Sequence, residues 1–213
     1  MNEEHIGSIP ENYLAHWEGQ CDAIRARLKE FRAVPPDEYF YELLYCLLTP
    51  GSRAANAEKV IAKFRALGFP ENPVDPTPLL RDPAHYIRFH HQKTARILRF
   101  RDQWKEIESL LLNDEIPAAA KREWLVSNVH GLGWKEASHF LRNIGHLEFA
   151  IIDRHILKHL LRSGMIEAIP KTITRRRYLE LEELFGQLAT AFGLTGQELD
   201  LLFWSIEEGS VRK

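Results

Sequence analysis

Residues 129–153, VHGLGWKEASHFLRNIGHLEFAIID, restrict this chain more than any other stretch. Two glycines flank a leucine, Gly131-Leu132-Gly133, between two runs of helical apolar spacing. The first run ends at 123–128. The second starts at Trp134 and continues through Ala137, Phe140 and Leu141. Glycine suits a turn this tight, because a Cβ would block the close approach of the backbone. The amides that open the second helix lack carbonyl partners and carry its positive pole, which makes a phosphate site. Residues 143–145 stop that helix. A short apolar run, 149–152, then leads to Asp153, a favoured cap for the amphipathic helix that starts Arg154-His155-Ile156-Leu157. An ordinary turn between helices would use the same glycines, so the turn alone assigns no chemistry.

Lys135 and Asp153 add the chemistry. Each sits at or beside a helix start, where the backbone carries about half a positive charge. That field works against an ammonium at 135 and for a carboxylate at 153. The pair supplies an amine nucleophile and an anionic partner. Taken singly, Lys135 reads as a surface lysine and Asp153 as a plain cap.

No alternating strand pattern persists anywhere in the 213 residues, so the class is all-α. The length suits one or two small domains with a true core. Helices are predicted over 12–32, 38–48 (capped by Asp37), 53–67 (capped by Ser52 and closed by Gly68), 92–112, 118–126, 154–163 and 174–192. Another starts at the capping box Thr195-Gly196-Gln197-Glu198. Residues 70–83 carry five prolines and read as a loop with at most a short helix. The expected division is a helical bundle with the hairpin at its cleft, 36–150, and a terminal helical layer, 1–35 plus 151–213.

Net charge is −2, which at first sight opposes nucleic-acid binding. Binding follows local basic surface, however. Residues 88–101 hold five Lys and Arg and no acid, and Lys171 with Arg175, Arg176 and Arg177 forms a second basic run; either run also reads as a solvated helix face. No apolar run approaches the ~20 residues that cross a bilayer. The N-terminus shows no secretory signal pattern, and two distant cysteines, Cys21 and Cys46, suit a reducing compartment. Two cysteines cannot ligate a four-cysteine iron–sulfur cluster. His155 and His159 have i,i+4 spacing without the Glu of a metalloprotease motif, so no metal site is predicted.

The hairpin Gly131-Leu132-Gly133-Trp134-Lys135 with Asp153 eighteen positions after the lysine resembles the helix-hairpin-helix DNA glycosylase superfamily. More narrowly, the chain is similar to the compact prokaryotic 8-oxoguanine DNA glycosylase/AP lyase family. The narrower likeness rests on Leu44-Tyr45-Cys46-Leu47-Leu48-Thr49-Pro50, Arg88-Phe89-His90-His91-Gln92-Lys93, Asp200-Leu201-Leu202-Phe203-Trp204 and the terminal Lys213. The resemblance implies that Lys135 attacks the deoxyribose C1′ while Asp153 assists. It also implies that the C-terminal tail carries Lys213 to the base pocket, and that no metal or organic cofactor takes part. The expected partner is duplex DNA containing 8-oxoguanine, acted on by a monomer in a prokaryotic cytoplasm.

Gly131, Gly133, Lys93 and Arg96 are the expected phosphate contacts. Phe89 and Trp204 are the expected stacking aromatics, although Phe89 also reads as core and Trp204 as an indole packed on a neighbouring subdomain. His90 and His91 read as exposed loop residues. Gly51 departs from the family, which often has an amide side chain near there to enter the DNA helix. A glycosylase for oxidised pyrimidines and a non-catalytic DNA-gripping hairpin are the alternatives.

Overall fold

The computed structural model describes residues 11–72 and 74–211. Among them are ten α-helices and no strand: α1 (Glu11–Arg32), α2 (Tyr39–Leu48), α3 (Ala54–Ala66), α4 (Pro76–Arg81), α5 (His90–Leu112), α6 (Ala118–Asn128), α7 (Trp134–Asn143), α8 (Arg154–Arg162), α9 (Arg175–Ala191) and α10 (Gly196–Glu208). The chain forms two compact units, Pro35–Phe140 and Met1–Val34 with Leu141–Lys213, so one boundary falls inside α7.

The Pro35–Phe140 unit is built around α2. Its spacing suggested one apolar face, but Tyr45, Cys46 and Leu48 are buried along with Phe40, Leu43, Leu44 and Leu47. Glu42 is buried on it too, so the helix is enclosed well beyond one apolar face. Phe40 stacks on Phe100 of α5 at 4.6 Å between ring centroids, and Trp104 meets Phe40 edge-on at 5.2 Å. Phe69 packs on Phe64 at 4.8 Å, and Tyr41 donates its hydroxyl to the Phe69 carbonyl at 2.6 Å.

Two expected caps are absent. Pro35 and Pro36 start a 3-10 turn, Pro36–Glu38, that takes in Asp37, and α2 follows Glu38 with no side-chain cap. Ser52 does not cap α3, whose cap position is Arg53. The Ser52 hydroxyl instead accepts the Arg88 amide at 3.0 Å.

In the other unit α10 is central, with α1, α8 and α9 packed on it. His159 of α8 stacks on Phe203 of α10 at 3.8 Å, and the Tyr13 hydroxyl of α1 lies 2.7 Å from His159 Nδ1. Arg142 is buried: its guanidinium donates to Asn143 and Asp200 and lies 4.4 Å from the Phe31 ring centroid. Thr174 caps α9 by accepting the Arg177 amide, and Thr195 and Glu198 close the predicted capping box of α10. Gly68, Gly164 and Gly209 end their helices at positive φ, as a C-terminal αL residue does. No helix among the described residues is long and apolar enough to cross a membrane.

Candidate nucleic-acid and catalytic site

The hairpin is built as predicted. The Leu132 amide donates to the Val129 carbonyl at 3.1 Å, and the Leu132 side chain anchors the turn in the core. Gly131 has φ +98, which favours glycine, and it lies under the flexible Arg96 side chain, whose Cδ would be 2.5 Å from an added Cβ. The Gly133 carbonyl accepts the Ala137 amide at 2.9 Å, which puts Gly133 at the cap of α7. Glycine brings no side chain to that position, and no side chain among the described residues accepts the Lys135 or Glu136 amide. The helix start is open to an outside anion.

Lys135 is the second residue of α7. Its side chain is 28% exposed, and its amine lies 4.0 Å from the Glu136 carboxylate, with no hydrogen bond among the described residues. Arg122, which the sequence did not single out, clamps the hairpin. It is buried on α6, donates to Ser138 of α7 at 3.1 Å and lies 4.9 Å from the Trp134 ring centroid. Arg96 reaches the turn from α5, its side chain against Gly131. It is half-buried and has no ion pair or hydrogen bond among the described residues, which leaves the guanidinium for a phosphate.

Lys93 corrects the prediction made from its basic helix. It is 2% exposed, and its ammonium donates to the Leu48 carbonyl at 2.6 Å, the Pro50 carbonyl at 2.8 Å and the Ser52 hydroxyl at 3.1 Å. Its three donors are used inside the protein, so it cannot meet a phosphate. Burial, with the charges of Arg96 and Arg88 behind it, lowers Lys93 to about 8.

Phe89 is not core: it is 55% exposed. It stands at the cap position of α5 with φ 58 and ψ 32, a left-handed conformation that costs a bulky residue on the order of 1–3 kcal/mol. Its ring lies against Gly51, where a Cβ would come 3.2 Å from Phe89 Cε2. The Arg88 guanidinium sits 5.1 Å from the ring centroid. His91 is exposed as expected, but His90 is half-buried, its Nδ1 3.2 Å from the Tyr86 hydroxyl, and both form the first turn of α5 rather than a loop.

Asp153 is placed in its own unit by side chains of α9. The Tyr178 hydroxyl donates to the Ala150 carbonyl at 2.8 Å and accepts the Ile152 amide at 3.1 Å, while Glu182 accepts the Ala150 amide at 2.8 Å. Gln197 of α10 donates to the Phe149 carbonyl. This pins the extended run before the cap. One Asp153 oxygen, Oδ1, accepts the amides of His155 at 2.8 Å and Ile156 at 3.0 Å. The other oxygen has no partner among the described residues, and the side chain is half-buried. One oxygen fixes the orientation and the other is left to act.

Trp204 lies off the apolar stripe of α10, half-buried, with the His155 ring edge-on at 5.8 Å. Its indole N–H is buried with no acceptor among the described residues. Nearby on the same helix Glu207 gathers His155, Lys158, His159 and Arg162 of α8, at 3.2 to 3.9 Å. Lys213 lies outside the described residues. Neither cysteine is in a disulfide, and no group of three or more His, Cys, Asp or Glu among the described residues is placed to hold a metal ion.

Residues 24–194 match the family described as 8-oxoguanine DNA glycosylase. A Methanocaldococcus jannaschii protein named 8-oxoguanine DNA glycosylase/AP lyase is 38% identical over 197 residues, covering 90% of this chain and 92% of that protein. One of the same name from Fusobacterium nucleatum is 35% identical, covering 89% and 90%. The crystal structure of the Thermotoga maritima 8-oxoguanine DNA glycosylase is similar to this one with a TM-score of 0.84 at 31% identity, covering 95% and 97%. The Methanocaldococcus jannaschii 8-oxoguanine glycosylase/lyase in complex with a 15-mer DNA containing 8-oxoguanine has a TM-score of 0.79 at 34% identity, covering 93% and 98%. With the family model matching residues 24–194 and relatives 35–38% identical over about nine tenths of the chain, the chain belongs to the 8-oxoguanine DNA glycosylase family.

Proposed function

We propose that this protein removes 8-oxoguanine from duplex DNA and then cleaves the strand 3′ to the abasic site, with Lys135 as nucleophile. The observation that carries the reading is Lys135 itself. It is an amine without a hydrogen bond among the described residues, one residue inside a helix that follows a glycine turn, in a chain that matches named glycosylase/lyases over about nine tenths of its length. The enzyme acts as a monomer inside a prokaryotic cell, where its substrate is.

A base stacked in a duplex is out of reach, and extruding it costs a few kcal/mol. The open amides of the α7 start and the Arg96 guanidinium offset that cost by gripping phosphates. Stacking on Phe89 and Trp204 adds about 1–3 kcal/mol per contact with the base. Lys213 is assigned to the edge of the guanine. The Lys135 nitrogen lone pair attacks C1′, and the bond from C1′ to the base breaks with its electrons leaving on the base, which takes up a proton. The free Asp153 oxygen stabilises the positive charge that develops on the sugar. Loss of the amine proton and opening of the sugar ring give an imine between Lys135 and C1′. The imine acidifies the C2′ proton. Its removal expels the 3′ phosphate by β-elimination, and water then releases the lysine.

An amine nucleophile, unlike a water-activating acid, ties base removal to strand cleavage. Borohydride reduction of that imine tests the assignment. Wild type is expected to trap on an 8-oxoguanine duplex. Lys135→Gln is expected to bind the duplex while losing trapping and strand cleavage by ~10³-fold or more. An adduct that survives in Lys135→Gln would overturn the assignment of the nucleophile. An adduct on a thymine glycol duplex alone would move the substrate to oxidised pyrimidines, and binding with no adduct at all would leave a DNA-gripping hairpin.

A further inference from the structure

Phe89 holds an unfavourable backbone conformation on the surface, and such a residue persists only where its surroundings impose it. The surroundings here form a closed circuit. The Lys93 ammonium joins the carbonyls of Leu48 and Pro50 to the Ser52 hydroxyl, and that hydroxyl also accepts the Arg88 amide, next to Phe89. The Lys93 amide donates to the Phe89 carbonyl at 2.9 Å, so ammonium and aromatic share one helical turn. Gly51, inside the loop that Lys93 ties down, has no side chain and lets the ring lie across it.

We infer that Lys93 is a positioning residue for base excision: it ties the end of α2 and the following turn to the first turn of α5, and so presents the Phe89 ring as the surface on which the extruded base stacks. The inference rests on the proposed stacking role of Phe89. A lysine is an expensive way to close a turn, because burying an ammonium costs far more than leaving two carbonyls to water. It is explained when the circuit has to hold one exposed ring in one place. The carbonyl end of α2 suits the charge, since a helix C-terminus is its negative pole.

The test separates base capture from strand cleavage. Single-turnover release of 8-oxoguanine is measured on the lesion duplex, and strand cleavage on a duplex carrying a preformed abasic site, where no base needs to be held. Lys93→Met is expected to slow 8-oxoguanine release by ~10–100-fold, the loss of one stacking contact, while abasic cleavage keeps the wild-type rate. Phe89→Leu is expected to slow release as much, and adding Lys93→Met to it should slow release no further. Equal loss on both substrates, no loss on either, additive losses, or a Phe89→Leu variant that releases base normally would each overturn the proposal. If Lys93→Met does not fold by circular dichroism, Ser52→Ala carries the test. A several-fold loss confined to base release supports the proposal, and unchanged release overturns it. Wild type that cleaves abasic DNA without releasing 8-oxoguanine would instead overturn the reading of the substrate.

Discussion

The helices that begin at Trp134 and Arg154 open in opposite ways. α7 follows Gly133, which has no side chain to offer, and no side chain among the described residues accepts the Lys135 or Glu136 amide. α8 follows Asp153, whose Oδ1 fills its own helix start with two short hydrogen bonds. Both starts carry the same partial positive charge. At α7 that charge is left for a ligand. At α8 it is used to hold a carboxylate still, with the second oxygen unpartnered among the described residues. One residue type at the cap decides whether a helix N-terminus stays open or is filled by a carboxylate from its own chain.

The contrast can be broken most severely at Asp153. Asn caps as well as Asp, so Asp153→Asn is expected to stay about as stable while base excision falls ~10²–10³-fold through the lost charge. Single-turnover excision beside a urea titration measures both. A variant that keeps the wild-type rate would show that the residue is only a cap.

Acid sharpens the α8 side. His159 is fully buried, and burial, with Arg162, His155 and Lys158 against Glu207, lowers it to about 4. Its folded value lies below its unfolded value, so between them the unfolded chain binds more protons and stability rises with pH. Acidification from about 6.5 to about 4 is therefore expected to remove about 3 kcal/mol, with the full contribution present above that window. Urea midpoints across that range should fall in wild type and fall less in His159→Gln.

The smallest change converts one kind of helix start into the other. Gly133 has an ordinary φ, and the nearest obstacle to a side chain is the movable Glu136 carboxylate at 3.1 Å. Gly133→Asp should fold and cap α7, yet weaken duplex binding by about tenfold, since its carboxylate takes the place of a phosphate. Fluorescence anisotropy with labelled duplex at fixed salt checks this, and unchanged affinity would remove the α7 start from the interface.

Local features were legible in the sequence. The caps at Asp153 and Thr195 and the closing Gly68 depend on neighbours within one turn, and each forms where its residues stand. Asp37 and Ser52 failed as caps for reasons a few residues or a whole helix away: the Pro35-Pro36 pair drew Asp37 into a 3-10 turn, and the Arg88 amide took the Ser52 hydroxyl. Arg122 and Arg142 resemble surface cations in the sequence and are buried clamps in the fold. An arginine carries no sign of which neighbour will face it.

Lys93 and Arg96 show the division most plainly. They lie three residues apart on one basic helix, and the sequence assigned both to phosphate. By itself the sequence determined the helical class, the glycine hairpin, Lys135 behind it and Asp153 as a cap, because these follow from backbone geometry over a few residues. Only the tertiary structure decided that Lys93 turns inward to the Leu48 and Pro50 carbonyls while Arg96 stays beside the hairpin with no ion pair among the described residues, and that Phe89 stands out over Gly51. The direction a side chain faces, and whether its charge is already used, depend on elements far away in the chain, and those are set by packing.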